Sequence, residues 1–229
     1  MWISVVIPAL NEEEPIAQVV REVLATKIPR EVIVVDNGST DKTAERARNA
    51  GARVISAVRG YGRACAAGVA AVSGQCELLV FLDGDGSDVP EFMVGLVEPI
   101  INGTHDFVIG SRTRGNRERG SMNAQQVFAG YLAGFLIRAL YGVRYTDMSP
   151  FRAIRRDALH KLAMREETYG WNLEMQMKAA RSGLRILEIP VDHRCRTGGE
   201  SKVSGTLRGT FVASFRILAT FLRIAFAGT

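Results

Sequence analysis

The feature that most constrains this 229-residue chain is a series of short apolar runs, each ending abruptly in a polar cluster. Runs at residues 3–7, 31–35, 52–57, 78–82 and 107–110 have strand length and little alternation, as strands buried on both faces do. Between them, residues 12–25, 42–50, 63–72 and 91–101 carry helical patterning, with Asn11 placed as an N-cap and acidic residues in the first turn after it. This β-α-β-α-β-α-β-α-β order predicts an α/β fold, a parallel sheet with helices on both faces. In such sheets ligands bind at the carboxyl ends of the strands. Here Asn11-Glu12, residues 36–39, residues 83–88 and Ser111-Arg112 all fall at that edge.

The second half is less regular. It reads as a basic loop (112–123), an apolar helix (125–141), a loop and strand (145–155), helices at 157–164 and 171–182, and a strand at 184–190. A loop at 194–205 and an apolar terminal helix at 207–227 complete it. No repeat or linker interrupts the chain, so one domain is expected, with residues 1–110 forming one half, 111–205 the other, and 206–229 a terminal helix. Three cysteines without metal-ligand spacing argue against a disulfide framework or a zinc site and for a reducing cytosol. The first residues carry no basic leader before their apolar run, so no secretory signal is expected.

Asp83-Gly84-Asp85 places two carboxylates on one turn directly after the most apolar strand. Two hard oxygen ligands this close suit Mg²⁺ or Mn²⁺, which bind one or two carboxylates together with substrate phosphates. An Asp-Gly turn without a ligand would read the same way locally. An EF-hand loop is excluded, because Val94 stands where its terminal Glu is required and no helix precedes the run.

Three segments, Val6-Ile7-Pro8-Ala9-Leu10-Asn11-Glu12, Val34-Val35-Asp36-Asn37-Gly38-Ser39-Thr40-Asp41 and Asp83-Gly84-Asp85, together resemble glycosyltransferase family 2. Gly110-Ser111-Arg112, the segment from Asp147 through Arg152, and Gly199-Glu200-Ser201-Lys202 resemble its branch of dolichyl-phosphate mannose synthases and bacterial polyprenyl-phosphate glycosyltransferases. The resemblance spans nearly the whole chain. It implies the GT-A fold and inverting transfer of a hexose from a GDP- or UDP-sugar to a polyprenyl phosphate. By that resemblance Pro8, Leu10 and Glu12 line the nucleotide pocket, Asp36 contacts the base, and Asp83 and Asp85 hold the metal on the diphosphate. Gly60-Tyr61-Gly62-Arg63 lies where the family has a flexible, basic nucleotide-contacting turn, so Arg63 is implied as a phosphate partner, with Arg196, Ser201 and Lys202 in the same donor-binding set. Trp171 and Glu174 match an aromatic–acid pair near the donor, and Asp147 and Arg152 a sugar-side segment. Asp85, Arg112 and Asp147 form the implied catalytic set. Two positions depart from the family pattern. Gln125-Gln126 stand where a second acceptor-binding basic residue is usual, and Ser87 stands where the family has the Gln that serves as the metal's third protein ligand.

Arg112, Arg114, Arg117 and Arg119 share one loop, and Arg194, Arg196 and Lys202 another. Charge runs are ordinarily solvated faces, but Arg112 follows a strand at the catalytic edge, where the resembling enzymes grip the acceptor phosphate. Such an acceptor oxygen is already anionic, so it needs cationic groups that hold it in line rather than a base. A soluble hydroxyl acceptor is the alternative, and it would need a carboxylate base, for which Asp88, Asp147 and Glu174 are candidates.

The formal net charge is +5 and the isoelectric point about 9.4. Nucleic acid is not the expected partner, because the 112–119 loop has no interleaved aromatic residue. A membrane surface is. The 206–227 helix is apolar but carries Arg208, Arg216 and Arg223 within one sector. A spanning placement would put Arg216 near mid-bilayer at about 3 kcal/mol, so an interfacial helix is expected. The 127–140 helix, with Arg138 its sole charge, is a second candidate for that role or else a buried or dimer helix. The chain is therefore expected on the cytoplasmic face of the cell membrane, held peripherally.

Overall fold

A computed structural model describes residues 1–197 and 221–225. The expected loop beyond residue 197, with Ser201 and Lys202, lies outside the described residues, as does the 206–229 helix except at 221–225. The strands are β1 (Ile3–Ala9), β2 (Glu31–Asp36), β3 (Arg53–Ser56), β4 (Leu78–Phe81), β5 (Phe107–Ser111), β6 (Arg152–Arg155) and β7 (Ile186–Pro190). They form one sheet in the order β3-β2-β1-β4-β6-β5-β7. The helices are α1 (Ile16–Ala25), α2 (Thr43–Asn49), α3 (Tyr61–Ala71), α4 (Met93–Ile101), α5 (Ala124–Tyr141), α6 (Arg156–Leu162) and α7 (Trp171–Arg181).

All seven residues of β1 are buried, as its unalternating sequence requires. Its side chains divide between two cores. Val6, with Ile33, Val35, Leu79 and Phe107, packs under α3, α5, α6 and α7. Val5 and Ile7, with Val34, Val80 and Val108, pack under α1, α2 and α4. The period-2 geometry of the strands thus assigns each alternate residue to one helical layer.

The sheet is mixed rather than wholly parallel. β6 lies between β4 and β5 and runs antiparallel to both. The chain reaches it only after the α5 excursion and enters the gap in reverse, so β5 still points the same way as β1, β2 and β4. Arg152 in β6 is fully buried, with its guanidinium over the Phe107 ring at 5.9 Å and donating to the Asn172 and Ser149 carbonyls. It is a scaffold residue, sealed from solvent.

The start of α1 also differs from expectation. The helix begins at Ile16 after Pro15, its first turn holds no acid, and Asn11 is not its cap. Asn11 instead adopts a positive φ of 51°, and its side chain accepts the Thr40 N–H at 2.8 Å. The Glu12 N–H donates to Thr43 Oγ1 at 2.8 Å, and the Glu13 N–H to Asp41 at 3.2 Å. Polar residues that resemble a helix start are used to tie the ends of β1 and β2 together.

Helix α5 is set by a capping box between Asn123 and Gln126 and ends at the left-handed Gly142. Its buried face is made of Gly130, Ala133, Gly134 and Ile137. A Cβ at Gly134 would collide with the Tyr145 carbonyl oxygen, so the helix lies directly on the 145–146 backbone. Gly134→Ala is expected to cost about 1–3 kcal/mol through this overpacking, read as a lowered denaturation midpoint.

Candidate active site

The carboxyl ends of β1, β2, β4 and β5 converge on a cleft of about 640 Å³. From β1 come Pro8, Leu10 and Glu12; from the turn after β4 come Asp83, Asp85 and Ser87; Arg112 follows β5. The first turn of α3 adds Tyr61, and the loop after β7 adds His193 and Arg196. Asn123 and Gln126, at the start of α5, complete the mouth. Seven residues expected from the sequence thus share one cavity: Pro8, Leu10, Glu12, Asp83, Asp85, Arg112 and Arg196.

The acidic turn is crowded. Asp83 accepts the Tyr61 hydroxyl at 3.0 Å, and its own N–H donates to the buried Asp88 carboxylate at 3.1 Å. Burial, then the charges of Asp85 and Asp88, push the Asp83 carboxyl up. Asp88 is pushed up to about 7, chiefly by burial. Asp85 accepts both the backbone N–H of Ser87, at 3.0 Å, and its hydroxyl, at 2.6 Å, which fixes one oxygen of that carboxylate.

A strap formed by residues 193–197 closes over this turn. The Arg194 N–H donates to the Ser87 carbonyl and the Thr197 N–H to the Asp85 carbonyl. Arg196 donates to Glu12 at 2.8 Å and lies 3.8 Å from Asp85, partly offsetting the acidic charge. His193 exchanges backbone hydrogen bonds with Asn116 and Glu118. Its Nδ1 is buried without a hydrogen-bond partner, 3.9 Å from Asp88. Burial, then the Arg112 charge, lowers its pKa to about 4, so the ring is neutral at pH 7.

Arg112 is held by Asp147 at three points, through its backbone N–H (3.0 Å), Nε (2.7 Å) and Nη2 (2.8 Å). Asp147 is almost wholly enclosed, its side chain 2% exposed against 14% for Arg112. Burial opposes ionisation of Asp147, but the guanidinium outweighs it and its carboxyl is held below the usual range. Arg112 is correspondingly raised. Asp147, expected among the catalytic groups, does not line the cleft; it stands behind Arg112 and orients it.

Four other expected residues are also elsewhere. Arg63 pairs with Glu167, with its Nε 2.9 Å from the carboxylate, and does not face the cleft. Trp171 is packed in the core and borders a separate hollow. Glu174 is buried and accepts the backbone N–H groups of Arg165 (3.0 Å) and Glu166 (2.6 Å). It thereby fixes the loop whose Thr168 and Tyr169 do line the cleft. Asp36 caps its own turn through the Ser39 N–H at 3.0 Å, and its neighbour Asn37 reaches the cleft instead.

His193 is a residue that the sequence does not single out, whereas Tyr61 belongs to the 60–63 turn that the family resemblance places at the nucleotide. The rule that located the other polar clusters would have found His193, since it closely follows the apolar strand at 184–190. In the 60–63 turn it is Tyr61, at the start of α3, and not the expected Arg63, that lines the cleft.

Comparison with known proteins agrees with this architecture. The chain is 34% identical over 216 residues to an uncharacterised glycosyltransferase of Mycobacterium tuberculosis, covering 92% of this chain and 94% of that protein. It is 34% identical over 199 residues to a dolichyl-phosphate hexose transferase of Haloferax volcanii, covering 86% and 84% respectively. Its fold matches a crystal structure of glucosyl-3-phosphoglycerate synthase from Mycobacterium tuberculosis in complex with Mn²⁺, UDP-glucose and phosphoglyceric acid. That match has a TM-score of 0.78 and 28% identity, and covers 98% of this chain and 79% of that one. The family model Glycosyl transferase family 2 matches residues 4–163. The chain therefore belongs to glycosyltransferase family 2, an enzyme of GT-A fold whose cleft lies at the carboxyl edge of its sheet.

Proposed function

We propose that this enzyme transfers a hexose, with inversion, from a GDP- or UDP-sugar to a polyprenyl or dolichyl phosphate at the cytoplasmic face of a membrane. The observation that carries this reading concerns the three carboxylates able to serve as a base for a hydroxyl acceptor. None of them faces the cleft: Asp88 is buried beneath the Asp83 turn, Asp147 is committed to Arg112, and Glu174 to backbone amides. What the acceptor side presents is Arg112, held rigid from behind. A phosphate acceptor is already a nucleophile and needs positioning and charge, which Arg112 provides.

In this reading residues 1–110 form the donor half, with Pro8, Leu10 and Glu12 against the nucleotide, and residues 111–205 form the acceptor half. The acidic turn suits a divalent cation. Buried like charges raise the Asp83 carboxyl, and Asp88 Oδ1 and His193 Nδ1 are buried without hydrogen-bond partners. Among the described residues no three His, Cys, Asp or Glu side chains are grouped to hold a metal by themselves. Asp83 and Asp85 would hold Mg²⁺ or Mn²⁺, with diphosphate oxygens filling the remaining positions. The ion would neutralise charge growing on the departing nucleoside diphosphate. Arg196 approaches the same place from the strap and adds a fixed positive charge.

A second reading, a small soluble phosphorylated acid as acceptor, is favoured by the likeness to the synthase solved with phosphoglyceric acid. One assay separates the two. Radiolabelled nucleotide sugars are offered with a short-chain polyprenyl phosphate or with phosphoglyceric acid, each with Mg²⁺, Mn²⁺ or EDTA. An organic-extractable product that disappears with EDTA is expected. Arg112→Ala should raise the KM for the lipid phosphate by about a hundredfold, as loss of a charge-assisted contact does, and leave donor KM nearly unchanged. Product formed only on phosphoglyceric acid would overturn the lipid reading.

A further inference from the structure

Helix α5 is built with its faces reversed relative to an ordinary surface helix. The side against the protein carries its small residues, Gly130, Ala133 and Gly134, whereas Phe128, Tyr131, Leu132 and Phe135 point outward. Phe128 and Phe135 are each 68% exposed, and Leu140 extends the apolar surface at the last turn. At 100° per residue Phe128, Leu132, Phe135 and Ala139 fall within about 60° of one another, a continuous stripe along the helix. Arg138 is the only charged residue in the helix, and it lies on the flank of this stripe. A helix apolar all round is normally covered on every side.

Charge decides what covers it. Residues 111–146 contain six arginines and one acid, Glu118. Arg117 and Arg119 are exposed just before α5, Arg138 beside the stripe, and Arg144 just after the helix. A two-fold dimer through this face would bring these like charges together. An anionic lipid surface answers both features, taking the aromatic and aliphatic side chains between its headgroups and pairing with the arginines around them. The position is also right, because Asn123 and Gln126 at the start of α5 line the mouth of the cleft. No helix among the described residues is long and apolar enough to cross a membrane, so this face would lie on the surface rather than span it.

We propose that the outer face of α5, from Phe128 to Leu140 with its flanking arginines, is where the enzyme rests on an anionic membrane. It deepens, and for its purpose rests on, the lipid-phosphate reading, bringing the cleft mouth to the plane in which that acceptor's headgroup lies. The test needs no turnover. The full chain is sedimented with vesicles of phosphatidylglycerol and phosphatidylcholine, and with phosphatidylcholine alone.

Wild type should pellet with the anionic vesicles and be released by high salt. Phe128→Ser/Phe135→Ser should bind at least about tenfold more weakly, through loss of inserted apolar area. Both side chains are exposed, so the variant should keep the wild-type melting temperature. Arg138→Glu/Arg144→Glu should weaken binding to anionic vesicles alone, which tests the charge component without touching the stripe. Wild type that ignores anionic vesicles, or a serine variant that binds as wild type does, would overturn the proposal. A concentration-dependent dimer abolished by the serine pair, without vesicle binding, would assign the face to a second copy. Failure of the acceptor reading would look different: vesicle binding intact, but no transfer to lipid phosphate in detergent solution.

Discussion

Asp85→Ala is expected to reduce turnover by about 10²–10³-fold, the loss typical when a group stabilising transition-state charge is removed. The fold should survive. The Asp85 side chain is 20% exposed and its protein partners are Ser87 and, more distantly, Arg196. Losing those contacts costs about 1 kcal/mol, and part of that is returned because Asp83 no longer faces a like charge. A shift in melting temperature of about 2–4 °C at most is therefore expected for a chain of this size. Mn²⁺ binding in the presence of nucleoside diphosphate, followed by paramagnetic resonance, should weaken in parallel with turnover. Retained turnover would remove Asp85 from the donor site altogether. Lost turnover with unaltered Mn²⁺ binding would leave it a role other than holding the ion.

The acidic turn, the strand-end clusters and the family were legible in the sequence because each is a local pattern: an apolar run and the polar residues that stop it. What failed were statements that depend on distant partners. Residues 145–155 read as a loop and strand, but nothing local says that the strand enters the sheet backwards between β4 and β5. Asn11 has the chemistry of a helix cap, yet the nearby 39–41 loop offered it a better set of partners. Trp171 and Glu174 stand three residues apart in one motif. Burial separates their work, one filling the core and the other pinning the 165–169 loop. Phe221 and Ile224 belong to the segment expected to face lipid, but both are buried within the protein's own core. Arg223 in the same turn pairs with Glu166 at 2.8 Å. At that turn, at least, the apolar face is turned inward.

The same dependence on distant partners gives Asp147 its expected effect, the largest on stability. Replacing it with Asn removes the charge from a carboxylate that accepts three hydrogen bonds from Arg112 and a fourth from the Met148 N–H at 2.7 Å. The Arg112 guanidinium would remain in place, mostly enclosed and no longer neutralised. Breaking one side of a buried pair costs about 3–5 kcal/mol, more than the pair itself contributes, because the uncompensated charge stays buried. Asp147→Asn should therefore lower the denaturation midpoint steeply, and the companion change Arg112→Met should recover much of the loss.

Activity should not recover with it. The double variant has lost the cation that would hold an acceptor phosphate, so its acceptor KM should stay as high as that of Arg112→Ala. The sign of the pH dependence follows from the direction of the Asp147 shift. A carboxyl held below its unfolded value contributes stability above about pH 4, and that contribution is lost as the pH falls through its lower folded value. Wild type should thus lose stability on acidification in part through this group, and the Asp147→Asn/Arg112→Met variant should lose less over the same range. A double variant as unstable as Asp147→Asn alone would mean that Asp147 supports the fold through its backbone contacts, not through Arg112. If acceptor KM recovered together with stability, Arg112 would no longer be the residue that holds the acceptor.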